Sequence, residues 1–284
     1  MITRKVLTIL PGMLLSLSVA IAAEQFTTIN VPGAIDTGVK GSLVGINLLG
    51  QIVGPYQDAA GNIHGFLLSF GKFSSFDFPG ASATYADGID IIGTIVGKYV
   101  SAGVTHGYSL TDRRFTTIDF PGASATAAAG INDLGQIVGS YTLSGVVHGF
   151  LFSQGAFTTI DFPGSVYTQV SGIGPTGDIV GLYFQPDLTG HGFLLHNGAF
   201  TTINFPGAVR TALNGINLEG DIVGGYFTSS AAQPQGFLLR GGAYTTIDMP
   251  GAIGTSAQGI NLEGAIVGTS NNADGSFHVF QLTR

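Results

Sequence analysis

Five histidines, His64, His106, His148, His191 and His278, recur at one place in a repeated pattern, four of them opening a His-Gly run. Imidazoles ligate metals and move protons near neutral pH, so a ring of them could hold a metal ion or a ligand. Symmetry favours a plainer role. Equivalent positions on different repeats lie far apart unless they line a common axis, and each His is expected to hydrogen-bond the loop backbone of its own repeat. His196 falls outside the pattern and reads as solvated. A second periodic position carries Asn30, Asp77, Asp119, Asp161, Asn204 and Asp248. One carboxylate per repeat is a poor cage for a cation that wants about six or more oxygens. Capping of the adjoining Pro-Gly turn is the expected use.

Positions where the repeats disagree are better candidates for a site, because shared positions build the scaffold. One such position reads Lys40, Ala83, Ala125, Tyr167, Arg210 and Gly254. Together with Tyr85 it offers two cations, Lys40 and Arg210, and two aromatic faces, Tyr85 and Tyr167. These four are the candidate ligand-binding residues. The competing reading is neutral variation on an exposed rim.

Other chemistry is missing from the sequence. There is no Cys, so a thiol nucleophile, a zinc-thiolate site and a disulfide framework are excluded. No Gly-x-Ser-x-Gly elbow, phosphate loop, dinucleotide fingerprint or His-Glu-x-x-His occurs. No catalytic constellation, metal site or cofactor is expected. A metal-dependent hydrolase or lyase would need several Asp, Glu, Asn or His at one axis, and the segment best placed for it offers Asp87, Asn214 and Gln258.

The elements that must position these residues are repeats. A Pro recurs at Pro32, Pro79, Pro121, Pro163, Pro206 and Pro250, at spacings of 47, 42, 42, 43 and 44 residues. Each period carries four segments. Segment A ends in Gly-Ile-Asn and is rich in small residues, as in Thr126–Asn132; its first copy reads as Gly41–Asn47. Segment B is Ile-Val-Gly plus two residues, as in Ile137–Tyr141, and its glycine is expected to let neighbouring units touch. Segment C is His-Gly-Phe-Leu or a variant, as in His148–Phe152. Segment D is Phe-Thr-Thr-Ile-Asp-Phe-Pro, alternating as a half-exposed strand should. Short Asn- and Gly-containing turns join A to B and C to D.

Four short strands per 40 to 50 residues is the signature of a propeller blade. The predicted fold is all-β, a six-bladed β-propeller of roughly 43-residue four-stranded repeats. The phase predicts its closure. The repeat array opens on a D segment, Phe26–Pro32, and ends on a C segment, His278–Leu282. The N-terminal strand therefore completes the last blade and removes two open edges. Loops D–A and B–C lie on one face, which is the expected ligand face.

The run Gly130-Ile-Asn-Asp-Leu-Gly-Gln-Ile-Val-Gly139, followed by His148-Gly-Phe-Leu151, resembles the probable extracellular repeats of bacteria named for a His-Ala-Phe core, the HAF family. Here His-Gly-Phe replaces His-Ala-Phe, and the Phe-Thr-Thr-Ile-Asp-Phe-Pro-Gly block is an addition. The resemblance covers nearly all of residues 24–284. It implies a secreted bacterial protein and carries over no reaction.

The start of the chain agrees. Arg4 and Lys5 precede an apolar run from Val6 to Ile21 and a small-residue pattern at Ala20–Ala23. That pattern predicts a signal peptide over residues 1–23 and one propeller domain over 24–284, secreted or periplasmic, with no membrane insertion after cleavage. Losing Arg4 and Lys5 takes the formal charge from −7 to −9. An acidic chain without a basic run argues against nucleic acid as partner. The expected function is a non-enzymatic binding scaffold for an extracellular polysaccharide or protein, acting as a monomer. The alternatives are the hydrolase or lyase and a purely structural envelope protein.

Overall fold

The computed structural model describes residues 24–229 and 233–284, and the expected signal peptide, residues 1–23, lies outside them. The described residues form 25 β-strands and no helix. The third repeat shows the unit: strands Ala125–Ile131, Ile137–Leu143, Val146–Ser153 and Ala156–Ile160 pair antiparallel in chain order. They correspond to segments A, B, C and D. The second, fourth and fifth units pair the same way. The first unit starts at Ala34–Thr37 and ends at Lys72–Phe76.

The segments fold this way for local reasons. Pro121 and Gly122 form a tight turn, with Ala123 N–H bonded to Phe120 O at 3.1 Å. Pro presets the first central residue, and Gly122 takes the second at φ +79°. The same turn recurs in all six repeats. At the A–B turn, the Asn132 side-chain oxygen accepts from the Leu134 and Gln136 amides, and its Nδ2 donates to Gly174 O in the next unit. The Asn of Gly-Ile-Asn thus closes its own hairpin and fastens it to a neighbour.

The core lies between units. Val96 of the second unit packs with Ile118, Ala128, Ile137, Tyr141 and Phe150. The aromatic residue of segment C is fully buried in every unit, as Phe66, Tyr108, Phe150, Phe193, Phe237 and Phe280. Each such ring is worth about 2–3 kcal/mol. The Phe before Pro stacks on the segment B Tyr of the next unit: Phe78 on Tyr99, Phe120 on Tyr141, Phe162 on Tyr183 and Phe205 on Tyr226, each at 3.6 Å.

The first and last repeats touch. Strand Gln25–Ile29 pairs antiparallel with Phe277–Thr283, with Phe26 opposite Leu282 and Ile29 opposite Val279. Gln258 Nε2 donates to Ser42 O at 2.9 Å, and Phe277 N–H to Asp36 Oδ1 at 2.9 Å. Val44 and Ile52 share a buried cluster with Val267 and Val279.

Two readings of the sequence need correction. The glycine that brings inner strands together is that of Gly-Ile-Asn. A Cβ on Gly88 would lie 3.1 Å from Gly130 Cα, one on Gly130 3.3 Å from Gly172 Cα, and one on Gly259 3.0 Å from Val44 O. The Ile-Val-Gly glycine faces inward within its own unit, against the segment A backbone and the segment C ring. The second correction concerns the first A strand. Thr37 opposes Tyr56 as Thr84 opposes Tyr99, so the strand opens at Ala34–Thr37 and resumes at Gly45–Ile46. The extra residues sit inside the strand, after Thr37, and Lys40 lies in them. Asp36 holds the place equivalent to Ala83, because Asp36 opposes Gln57 as Ala83 opposes Val100.

Candidate functional site

The recurring histidines serve their own units. Nδ1 of His106 bonds the Asp119 carboxylate at 2.8 Å, and Nδ1 of His148 that of Asp161 at 2.9 Å. His191 meets Asn204 instead. The imidazoles stack on the segment B tyrosines, as His106 on Tyr99 at 5.0 Å. For His64, His106 and His148 the partner is therefore a carboxylate of the neighbouring D segment, and not loop backbone. By the same contacts Asp77, Asp119 and Asp161 hold a His, where turn capping was expected.

His64 has two carboxylates, Asp77 at 2.9 Å and Asp58 at 3.2 Å. Burial lowers its pKa, but the bonds and charges of Asp77 and Asp58 outweigh burial and raise it above the ordinary 6.5. Hydrogen bonds from Asn62, then His64, hold Asp58 at about 2. The folded protein binds the His64 proton more tightly than the unfolded chain does. That stabilisation is complete below pH 6.5 and is lost as pH rises through the folded pKa. His64→Gln should therefore lower Tm more at about pH 5.5 than at about pH 8.5. Equal losses at both pH values would exclude the ion pair as the cause.

The site-forming device is a bulge. Strand A slips register against B by one residue in units two to six. The extra residue is Asp87, Ala129, Ser171, Asn214 or Gln258. A bulge re-aims the side chain it frees, and all five line one cavity of about 230 Å³ where the inner strands meet. Lys98, Ser140 and Leu182 of the B strands line it too, as does Ser42 of the first unit.

Its polar groups are partly committed. Asp87 is buried, accepts from Leu43 N–H at 3.1 Å, and pairs with Lys98 Nζ at 3.4 Å. Burial raises the Asp87 pKa and the Lys98 charge opposes it. Asn214 Nδ2 donates to Ala257 O at 2.8 Å, and Gln258 Nε2 also reaches Thr269 Oγ1. The cavity thus presents hydroxyls, amides and one neutralised ion pair. No group of three or more His, Asp or Glu that could hold a metal occurs among the described residues.

None of the four sequence candidates lines this cavity. Tyr85 lies under Lys98, whose Nζ is 4.8 Å from the ring centroid. Burial, then the charge of Asp87, raises the Tyr85 pKa. Tyr167 donates its hydroxyl to Gln169 Oε1 at 2.7 Å and sets its ring edge-on to Phe184. Arg210 lies in a separate groove, over Phe227 at 3.8 Å. Lys40 is exposed on a turn closed by Ser42 N–H to Val39 O. Lys98 escaped sequence reasoning, although it is the one charged residue at its place in segment B, against Pro55, Ser140, Leu182, Gly225 and Thr269.

The other end of the inner strands differs. A cavity of about 180 Å³ there is lined by the isoleucine of each A strand, as Ile131, and by residues of the A–B turns, among them Asn47, Asn132, Asp133, Asn217 and Asn261. The bulge residues open toward one mouth, and the isoleucines with the A–B turn asparagines toward the other.

No protein-family model matches the chain. No curated protein matches it. Solved structures do. Virginiamycin B lyase from Staphylococcus aureus, in a structure with quinupristin, aligns over 92% of this chain and 100% of its own at 12% identity, TM-score 0.53. A fucose-specific lectin from Aleuria aurantia aligns over 87% and 93% respectively, at 15% identity and TM-score 0.54. At such identities the likeness speaks for the fold alone. The chain is similar in fold to β-propeller proteins, lectins and a lyase among them.

Proposed function

We propose that this protein is a six-bladed β-propeller, closed by its N-terminal strand, that is exported from the cell and binds an extracellular polysaccharide or protein without catalysing a reaction. The binding face carries the D–A and B–C loops. One observation carries the reading: five successive bulges deliver residues to a single cavity, and four of them are polar. The contacts from Gln258 to Ser42 and from Phe277 to Asp36 support closure. The leader pattern of residues 1–23 and the resemblance to HAF repeats support export.

The chemistry suits binding. A polyhydroxylated ligand exchanges hydrogen bonds with hydroxyls and amides, and needs neither a strong nucleophile nor a free base. The one carboxylate in the cavity, Asp87, is tied to Lys98, so it is poorly placed to act alone as an acid or base.

A glycan array and a pull-down with purified residues 24–284 test the proposal. The double variant Asp87→Asn with Lys98→Met removes both charges without stranding either one. It should weaken capture by about tenfold or more, with Tm nearly unchanged. If the wild-type protein captures neither glycan nor protein, the binding role falls and a structural role takes its place.

A further inference from the structure

Five departures from the repeat meet in one row. Tyr167 opposes Phe184, Phe184 opposes Gly190, Gly190 pairs in parallel with Arg210, and Arg210 opposes Phe227. The row crosses from the fourth unit into the fifth. Elsewhere the Phe184 and Phe227 position holds Gln57, Val100, Thr142 and Asn271, and the Gly190 position holds Ile63, Thr105, Val147, Pro234 and Phe277. Gly190 is where the Arg210 stem needs room. A Cβ there would lie 2.8 Å from Arg210 Cγ and 2.8 Å from Phe184 Cε1. The groove beside the row encloses about 330 Å³, and Leu188 and Val209 on its walls are 73% and 51% exposed.

Arg210 is the unusual member. Its guanidinium lies over the Phe227 ring at 3.8 Å. Burial lowers its pKa, and among the described residues no carboxylate lies within ion-pair distance of it. The nearby loop carboxylate, Asp187, accepts from Thr189 N–H and Oγ1 instead. A half-buried cation without a counter-charge, in a chain of net charge −7, has lost hydration that only an anion restores well.

We infer that this groove is a binding site, distinct from the axial cavity, for a carboxylate-bearing sugar ring, with Arg210 holding the carboxylate. The planar fork of a guanidinium matches a carboxylate through two parallel hydrogen bonds. The apolar walls fit the C–H face of a pyranose, and a groove of this volume takes a single ring. Hexuronate units of an acidic polysaccharide have this chemistry. The site lies on the face proposed above but does not depend on the axial cavity.

The test is calorimetry with residues 24–284, using an α-1,4-linked galacturonate trimer and, as the neutral control, maltotriose. The trimer should bind, and its affinity should fall as salt rises. Arg210→Met keeps the stem and removes the charge, and should weaken binding about tenfold or more. Gly190→Val should weaken it too, by displacing the Arg210 stem. Asp87→Asn with Lys98→Met should leave it unchanged. The site is refuted if the trimer does not bind, if maltotriose binds equally well, or if Arg210→Met binds as the wild type does. If the axial double variant loses trimer binding while Arg210→Met keeps it, this inference fails and the trimer belongs to the axial cavity.

Discussion

Residues 30–284, lacking strand Gln25–Ile29, should melt about 8 °C below residues 24–284. The strand does three things at once. It completes a ladder along Val279–Thr283. It sets Phe26 edge-on to Phe280 at 5.5 Å. It places Ile29, 5% exposed, in the cluster that also holds Val44, Val267 and Val279. Burying the two side chains is worth about 4 kcal/mol and the ladder bonds about 1 kcal/mol each, against which stands the entropy of ordering five residues. A net loss of about 4 kcal/mol corresponds to about 8 °C in a chain of this size. Thermal melts followed by circular dichroism read it. A peptide of residues 24–32, added at high concentration, should restore part of the loss by pairing with the bared strand. If the shortened protein melts within a few degrees of the longer one, the N-terminal strand is an ornament and the last repeat does not depend on it.

Much of this was legible in the sequence, for a physical reason. A repeat writes each structural demand several times. The Pro-Gly turn needs a preset φ and a positive one, and only that pair meets both cheaply, so Pro121-Gly122 and its copies mark the period. The phase of the segments placed the N-terminal strand beside the last one, and the strands are paired that way. What stayed hidden depends on partners distant in sequence. Asp119 sits beside a Pro-Gly turn and reads as its cap, but its carboxylate meets His106 across the C–D pair. Lys40 aligned with Arg210 only because the first A segment was read as Gly41–Asn47, and the strand register moves Asp36 there instead. Asp87, Asn214 and Gln258 were named from segment A as the groups that could converge. The bulge that turns them inward leaves no mark in the sequence, because the freed position tolerates Ala129 and Ser171 as well.

Gly139→Val should cost about 4 kcal/mol, the largest effect of any single substitution considered. The reason is where the Cβ must go. Gly139 opposes Ala128 just before the register slips between Ala128 and Gly130. That slip turns the segment A backbone so that a Cβ at Gly139 would overlap the carbonyl oxygen of Ala127, with the Phe150 ring 2.9 Å away on the other side. A flexible side chain could yield, but backbone in a paired strand and a fully buried ring cannot. The same overlap awaits Gly97, Gly181, Gly224 and Gly268, which is why Ile-Val-Gly recurs. The bulge would have to flatten, and flattening it would swing Ala129 away from the axial cavity. Gly155→Ala is the control. It lies at φ +79° with nothing within 4 Å of a new Cβ, so it carries only the left-handed strain of about 1 kcal/mol. Urea denaturation of both variants separates the two glycine roles. Equal losses would mean that backbone conformation explains both positions, and the bulge would no longer account for the glycine of segment B.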